Sequence, residues 1–289
     1  MAYTMAMAST HNANFQDIVS DEYKNVSPAE ARLLYLDICA LNRFGTPVRA
    51  GLIKRVHGID FDEFQDRFFR PLEEVVALSF NARIRDYTYE ARHPLIAEMV
   101  YSSSLITMDE RFDNLMRIIG KLNPAYSYDE DVLFHLLRAS TLGELFPDRV
   151  KGIAVYETAL NTFGETPGIL HQLALYEMHR AGDGTGLDRA QRILERAIEK
   201  MPTNRAMQHS MAEIALRRSR LARNETERQV FRKEATNRAR ALTQSGTSSF
   251  PFHTMAKAAN DEVEDLLELL ADMFSCLKKT GRRQDLLYR

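Results

Sequence analysis

Residues 87–101 read YTYEARHPLIAEMVY, where a strand pattern changes abruptly into a helix pattern. The first five residues alternate Tyr and Ala with Thr and Glu, which is the period of a half-buried strand. Pro94 ends that strand and suits the first position of a helix, where its missing N–H leaves no hydrogen bond unmade. His93 is therefore predicted to lie at a strand-to-helix junction, with its imidazole beside a helix N-terminus.

The predicted helix that follows His93 has an N-terminus suited to an anion. Its first N–H groups and its positive partial charge favour a phosphate or another anionic group. Its apolar face comes from Leu95, Ile96, Met99 and Val100. A lone histidine at this position has two interpretations, an anion contact and a structural cap of the helix, so the surrounding sequence has to be weighed.

Three short helical patterns and a strand precede this junction. Residues 27–30 (SPAE) predict a helix start with Ser27 as the N-cap and the glutamate closing a capping box. Gly45 is predicted to end this first helix. The second helix is predicted over Arg49–His57, with a stop at Gly58.

The third helix is predicted to start at Asp60, with Pro71 marking a bend near its end. Its buried face is predicted from Phe61, Phe64, Phe68 and Leu72. Strands are predicted over Val75–Phe80 and Tyr87–Ala91, joined by a polar turn. Three helices followed by a two-stranded wing predict a winged-helix domain. The third helix, FDEFQDRFFR, has no net positive face, so protein packing is favoured over DNA reading.

Helical patterns with a repeat occupy the rest of the chain. Amphipathic helices are predicted over Met108–Gly120 and Asp129–Phe146, and sets of small, large and small residues then recur. The sets are Gly152, Tyr156 and Ala159; Ala190, Leu194 and Ala197, followed by Pro202; and a looser copy, Ala235, Ala239 and Leu242. The first two sets are 38 residues apart. This pattern predicts tetratricopeptide-like (TPR-like) α-α superhelical repeats, with an irregular helical bundle as the alternative.

The order of these elements, with ARHPLIAE at the join, resembles the middle of STAND-type NTPases. In those signal-transduction ATPases a nucleotide-binding domain is followed by a winged helix and then by a repeat-built sensor. A histidine in a Met-His-Asp-Leu-like motif of the family contacts the β-phosphate of bound ADP. The matching residues here are Arg92, His93, Pro94 and Leu95. Histidine and leucine agree with the motif, whereas Arg92 and Pro94 depart from it.

The resemblance implies that the chain is the regulatory and sensor part of a bacterial, antiphage-related STAND NTPase. His93 and Arg92 would then contact nucleotide in the full-length protein, and ADP and ATP would be cofactors of that parent rather than of this chain alone. The implied partners are the upstream NTPase domain of the same protein and a protein or peptide trigger on the helical repeats. Trigger binding would release an ADP-bound off state and allow a homo-oligomer to activate an effector.

The predicted fold class is mainly α, with three segments. Residues 1–26 are interpreted as the end of an upstream helical or lid segment, residues 27–107 as the winged-helix domain and residues 108–289 as the TPR-like sensor domain. The chain is therefore expected to begin inside a longer parent protein. Near its end, Asp261–Leu277 is predicted to form an amphipathic helix that caps the repeats or contacts another copy.

Composition favours a folded protein of a reducing compartment. Lys and Arg number 38 against 40 Asp and Glu, so bulk charge indicates no particular partner. The two cysteines, Cys39 and Cys276, lie far apart in apolar helical patterns and are interpreted as core residues rather than a disulfide or a metal site. No apolar run approaches the ~18 residues of a membrane span. A soluble, cytoplasmic protein without membrane contact is expected.

The stretch Arg217–Arg240 carries nine Arg or Lys residues against three glutamates. The candidates for an anion or partner surface are Arg217, Arg218, Arg220, Arg223, Arg232 and Lys233. Such a run would suit nucleic acid or an acidic protein, but it is more often the solvated face of long helices. Nucleic acid is therefore allowed as a partner but is not favoured.

Recognisable catalytic motifs are absent from the sequence. It contains no G-x-x-x-x-G-K-[ST] phosphate loop, no His-Glu-x-x-His and no G-x-S-x-G elbow. We therefore expect no catalysis and no metal centre in this chain. Two alternatives to the STAND interpretation stay open: a TPR-like scaffold for protein–protein interaction without nucleotide, in which His93 is only a cap, and a winged-helix DNA-binding regulator.

Overall fold

A computed structural model describes residues 15–59, 61–82, 84–180, 182, 184–243, 249–260, 270–271 and 273–275. The predictions for residues 1–14, for Cys276 and for most of Asp261–Leu277 lie outside these residues. The chain divides into two compact units, Met1–Gly164 and Glu165–Arg289, which are described separately. The predicted domain boundary after residue 107 stays a prediction.

The first unit is organised around one buried helix. Helix α1 is Phe15–Asn25 and helix α2 is Ala29–Asn42. Ten of the fourteen residues of α2 are buried, because the helices Pro94–Ser102 and Met108–Ile119 and a small sheet all pack on it. The predicted cap at Ser27 is wrong. Pro28 occupies the N-cap position and no side chain accepts a hydrogen bond there, so the helix starts one residue later than predicted.

The second and third helices differ in how well the sequence predicted them. Strand β1 (Val48–Arg49) leads into α3 (Ala50–His57), which ends at Gly58 in the left-handed conformation, as predicted. The third helical region is not one bent helix. It consists of α4 (Phe61–Phe64), a π-helical turn (Gln65–Phe69) and α5 (Arg70–Leu72). Pro71 has no N–H for the regular ladder, and the turn before it is widened.

A three-stranded antiparallel sheet follows, in the order β1-β3-β2, with β2 at Val76–Asn81 and β3 at Asp86–Ala91. The predicted two-stranded wing is therefore corrected by one strand. β1 pairs with the central strand β3 and is too short for a periodic pattern to reveal it. Phe64 and Phe69 pack their rings against Tyr89 on β3, at centroid distances of 5.3 and 6.5 Å. These contacts join the sheet to the third helical region.

Five further helices complete the described part of the first unit. They are α6 (Pro94–Ser102), α7 (Met108–Ile119), α8 (Ser127–Leu136), α9 (Ala139–Leu145) and α10 (Arg149–Phe163). Thr107 and Glu110 form a complete capping box at the start of α7. The predicted single helix Asp129–Phe146 is interrupted after Leu137. The hydroxyl of Tyr156 on α10 donates to the Leu137 carbonyl at 2.8 Å, which satisfies an acceptor at the break.

The described part of the second unit is a series of helices joined by short loops. They are α11 (Pro167–Arg180), α12 (Gly184–Lys200), α13 (Arg205–Leu221), α14 (Glu225–Thr243) and α15 (Phe250–Ala259). Each helix packs on the next in sequence. In addition, α13 contacts both α11 and α15, so these three form one layer and α12 and α14 form a second.

The predicted small-residue positions lie in helix contacts. Ala190, Leu194 and Ala197 on α12 are fully buried, and so are Ala235 and Ala239 on α14. Small side chains at these positions allow the close approach that the sequence pattern predicted. The mainly helical fold class is confirmed. No helix in the described ranges is both long enough and apolar enough to cross a membrane.

Candidate functional site

His93 lies between β3 and α6, at the predicted strand-to-helix junction, and it is the N-cap of α6. Its backbone is extended, and its Nδ1 atom accepts a hydrogen bond from the Leu95 N–H at 3.1 Å. Nδ1 is therefore unprotonated, and the ring proton of the neutral imidazole lies on Nε2. The histidine performs the task that Ser, Asp or Asn performs at most helix starts.

The backbone donors at the start of α6 are already used. Pro94 has no N–H, and the Leu95 N–H is bound to the imidazole. The N–H groups of Ile96 and Ala97 both reach the His93 carbonyl, at 3.0 and 3.1 Å. An anion at this helix end would therefore find one exposed donor, the His93 Nε2–H, rather than a set of free amides.

Arg92 has a different role from its neighbour. Its guanidinium is paired with the Glu22 carboxylate, and both side chains are about three-quarters covered. The pair links α1 to the end of β3 across 70 residues of sequence. Arg92 is thus part of the packing of the first unit, and the predicted nucleotide contact would have to break this pair.

The predicted basic surface does not form one continuous cationic face. Arg217 donates to the Met178 carbonyl at 3.3 Å, and Arg218 pairs with Asp188. Arg232 is buried. Arg220, Arg223 and Lys233 are exposed, and an exposed glutamate, Glu225, begins α14. The six basic residues therefore lie in several different environments. This agrees with the interpretation of the basic run as the solvated surface of long helices.

A cleft of about 410 Å³ lies among the start of α12, the end of α13 and the start of α14. Its apolar lining includes Leu187, Leu221 and Phe231. Its charged lining consists of Arg218 and Arg223 with Asp188 and Glu227. Two cations face two anions, so the cleft has no net charge that would select an anionic ligand.

A polar cluster that was not predicted from the sequence lies on the layer of α11, α13 and α15. His171 on α11 lies with its Nε2 atom 2.8 Å from the Ser210 hydroxyl on α13. Ser210 donates its own proton to the Ala206 carbonyl at 3.0 Å, so it accepts from His171. Nε2 of His171 therefore carries the ring proton of the neutral form.

The cluster continues from α13 to α15. His209 Nε2 lies 3.1 Å from the Phe250 carbonyl and 2.8 Å from the Thr254 hydroxyl. Because a carbonyl only accepts, this nitrogen carries the proton. Thr254 then donates to the Glu213 carboxylate at 2.6 Å, and Lys257 lies 3.5 Å from the same oxygen. The result is two neighbouring sets of polar contacts, one between α11 and α13 and one between α13 and α15.

Burial sets the protonation states of this cluster. It lowers the pKa of His171 and of His209 below the ordinary histidine value, and for His171 the neighbouring His209 adds to the effect. Burial alone would raise the pKa of Glu213, but the Thr254 hydrogen bond, together with Lys257 and the other nearby cations, outweighs it and lowers the pKa. Near neutral pH the cluster therefore presents neutral imidazoles and an ionised carboxylate.

A sequence signal for this cluster existed. His171 and His209 are 38 residues apart, the offset that also separates Gly152 from Ala190. His179 and Arg217 show the same offset. Polar residues therefore recur in the repeat at the same spacing as the small ones, and that recurrence marks these positions in the sequence.

Within the described residues, no three His, Cys, Asp or Glu side chains are grouped as a metal ion requires. Comparisons of the chain with protein-family models, with curated proteins and with solved structures find no match.

Proposed function

We propose that this chain is a regulatory interaction module. A winged-helix unit is followed by TPR-like hairpins, and the face carried by α11, α13 and α15 binds a protein or peptide partner. The observation that carries the proposal is the polar cluster from His171 to Lys257, which brings ionisable side chains of three helices onto one layer.

The order of elements in the first unit supports a winged helix. A helix, a short strand, two helical regions and a hairpin succeed one another, and the short strand joins the hairpin in one sheet. The third helical region is poorly suited to DNA. Its Arg70 is paired with Asp66 at 3.3 Å on an exposed surface, so little positive charge remains for phosphates. The winged helix therefore acts in protein packing.

The layered helices of the second unit support a binding face. In a hairpin series, the helices of one layer present adjacent stripes of side chains to a partner. Here those stripes contain an exposed lysine, Lys257, and an exposed imidazole, His179, both within electrostatic reach of Glu213. Mixed charge with hydrogen-bonding groups fits a polar peptide segment better than nucleic acid, which would need a uniformly cationic stripe.

The resemblance to STAND-type NTPases extends the proposal to a nucleotide-dependent switch. In that form, partner binding on the hairpins disfavours an ADP-bound closed state, and ATP exchange and oligomerisation follow in a longer protein. The exposed His93 Nε2–H supports a phosphate contact, whereas the pairing of Arg92 with Glu22 supports no second one. A switch of this kind needs a partner with different affinities for the two states.

Peptide-display selection against the 289-residue chain tests the binding face. The face variant carries His179→Glu and Lys257→Glu, both at exposed positions. The control carries Lys233→Glu, an equally exposed change on α14 in the other layer. We expect selected peptides to bind the face variant at least about tenfold more weakly, a loss of about 1.4 kcal/mol. Peptides that bind both variants like the unmodified chain would contradict the proposal.

The nucleotide form requires its own test, in a longer protein that carries an NTPase domain. His93→Asn keeps an oxygen that can cap α6, but its shorter amide places no N–H at the position of Nε2, so it separates the two interpretations of this residue. Faster ADP release in the Asn variant supports a phosphate contact. An ADP release rate that is unchanged in the Asn variant leaves His93 as a cap and favours the scaffold.

A further inference from the structure

Strand β2 (VALSFN) is an open edge of the sheet. The strand order β1-β3-β2 places it at the side, and its central residues 77–80 are exposed. Proteins usually protect such an edge with charged residues, proline or a bulge, because its outward backbone groups can pair with another strand. β2 contains no charge and no proline, and its pairing with β3 runs without interruption from Val76 to Asn81.

One face of this edge is also apolar. Leu78 is 42% exposed and Phe80 is 59% exposed. Phe80 is opposite Tyr87 on β3, with ring centroids 5.3 Å apart, and Tyr87 is itself 47% exposed. Since Leu78, Phe80 and Tyr87 share one side of the sheet, the edge of the described sheet presents a strip of large side chains beside the outward backbone of β2.

We propose that two copies of this chain associate through antiparallel pairing of their β2 strands, with the two-fold axis at Ser79. Residues directly opposite in an antiparallel pair share a face, so only certain registers bring the apolar strips together. With Ser79 opposite its symmetry mate, Leu78 is opposite Phe80 and Ala77 is opposite Asn81. A shift toward the start of β2 would use Val76, which is only 5% exposed and belongs to the core.

The partner strand is β2 of a second copy of the chain, because β2 is self-complementary. Around a two-fold axis at Ser79, only Ser79 is opposite its own copy, while each Leu78 is opposite Phe80 of the other chain, so the pairing brings large apolar residues together twice and no like charges together. Two acidic residues of β3 do not oppose this pairing: Asp86 is turned to Arg49 on β1 at 3.1 Å, and Glu90, opposite Ala77, lies on the other side of the sheet from Leu78 and Phe80. The paired sheets form one six-stranded sheet whose apolar strip continues across the axis.

Substitutions that introduce a charge at position 79 test this register directly. Light scattering of the full 289-residue chain, followed over concentration, is expected to show a species of twice the 33.1 kDa chain mass. Ser79→Lys places two lysines opposite each other and weakens association at least about tenfold, and Ser79→Glu does the same. An equimolar mixture of the two variants restores the dimer, because Lys then faces Glu. Ser104→Lys, an exposed change outside the sheet, leaves the dimer intact.

Three results would overturn the proposal: a monomeric chain at about 100 μM, a weak range for specific association; Ser79→Lys associating like the unmodified chain; or a mixture that fails to re-form the dimer. If the charged variants do not fold, Ser79→Cys serves instead, in a Cys276→Ala background. Under mild oxidation it is expected to give a covalent dimer through position 79, whereas Ser104→Cys gives none. Equal cross-linking of both would refute the pairing. The outcome is independent of the binding face proposed for α11, α13 and α15.

Discussion

Replacing His93 by alanine removes the side-chain cap of α6 and leaves the Leu95 N–H without its partner. Loss of an N-cap costs about 0.5–2 kcal/mol. The cost here belongs in the lower half of that range, because His93, Pro94 and Leu95 are all exposed and water can reach the freed amide. The bonds from Ile96 and Ala97 end on the His93 carbonyl, which alanine retains. We therefore expect a loss of about 0.5–1 kcal/mol in the free energy of unfolding of the first unit.

Hydrogen exchange at single amides is the decisive assay for this change. The Leu95 amide is expected to lose its protection in the Ala variant, while the Ile96 and Ala97 amides exchange at most about fivefold faster. His93→Asn is the matched control, because an asparagine oxygen can accept the same N–H and should keep Leu95 protected. Unchanged protection of Leu95 in the Ala variant would refute the cap. Equal loss in both variants would show that the imidazole acts through something other than its acceptor.

Two further predictions concern the polar groups of the two units. Asp37→Ala removes the buried partner of Arg117 and of His57, whose Nε2 lies 2.6 Å from the carboxylate, so we expect the free energy of unfolding to fall by about 3–5 kcal/mol. A fall of less than about 1 kcal/mol in urea titrations would contradict this. Because the folded-state pKa values of His171 and His209 are lowered from 6.5, their contribution to stability is complete above pH 6.5 and declines as the pH falls below it. The urea midpoint of the chain should therefore fall between pH 7.5 and pH 5, and it should fall less in a variant with glutamine at both positions. The same pH dependence of the midpoint in both chains would refute the assignment.

The sequence predicted correctly those parts of the fold that local interactions determine. Pro94 after an alternating run marks the junction at His93, and Gly58 stops a helix because a glycine adopts the left-handed conformation without strain. The buried alanines of α12 and α14 follow from helix contacts that admit only small side chains. Each of these signals can be read within one turn or one helix.

The features that were missed depend on distant partners. Strand β1 is two residues long and exists because β3 offers it a ladder, so no periodicity within it could reveal it. The local sequence around Leu137 is compatible both with a continuous helix and with a break. The Tyr156 hydroxyl that donates to the Leu137 carbonyl at the break comes from another helix. Likewise, the sequence allowed two roles for His93, and only the position of the Leu95 N–H shows that Nδ1 is engaged. Tertiary contacts decided the first two, and a local hydrogen bond decided the third.

Helix packing alone does not explain why polar residues recur at the repeat offset. Stacking of helices requires small residues at the contacts, and Gly152 and Ala190 meet that requirement. It does not require ionisable side chains at equivalent places. His171 and His209 nevertheless recur 38 residues apart, and each of them donates to a hydroxyl group on the next helix of the layer. Burying polar groups costs free energy unless they are hydrogen-bonded, so a purely structural layer would be as stable with apolar residues there. The recurrence is the observation behind the partner-binding face that we propose for this layer.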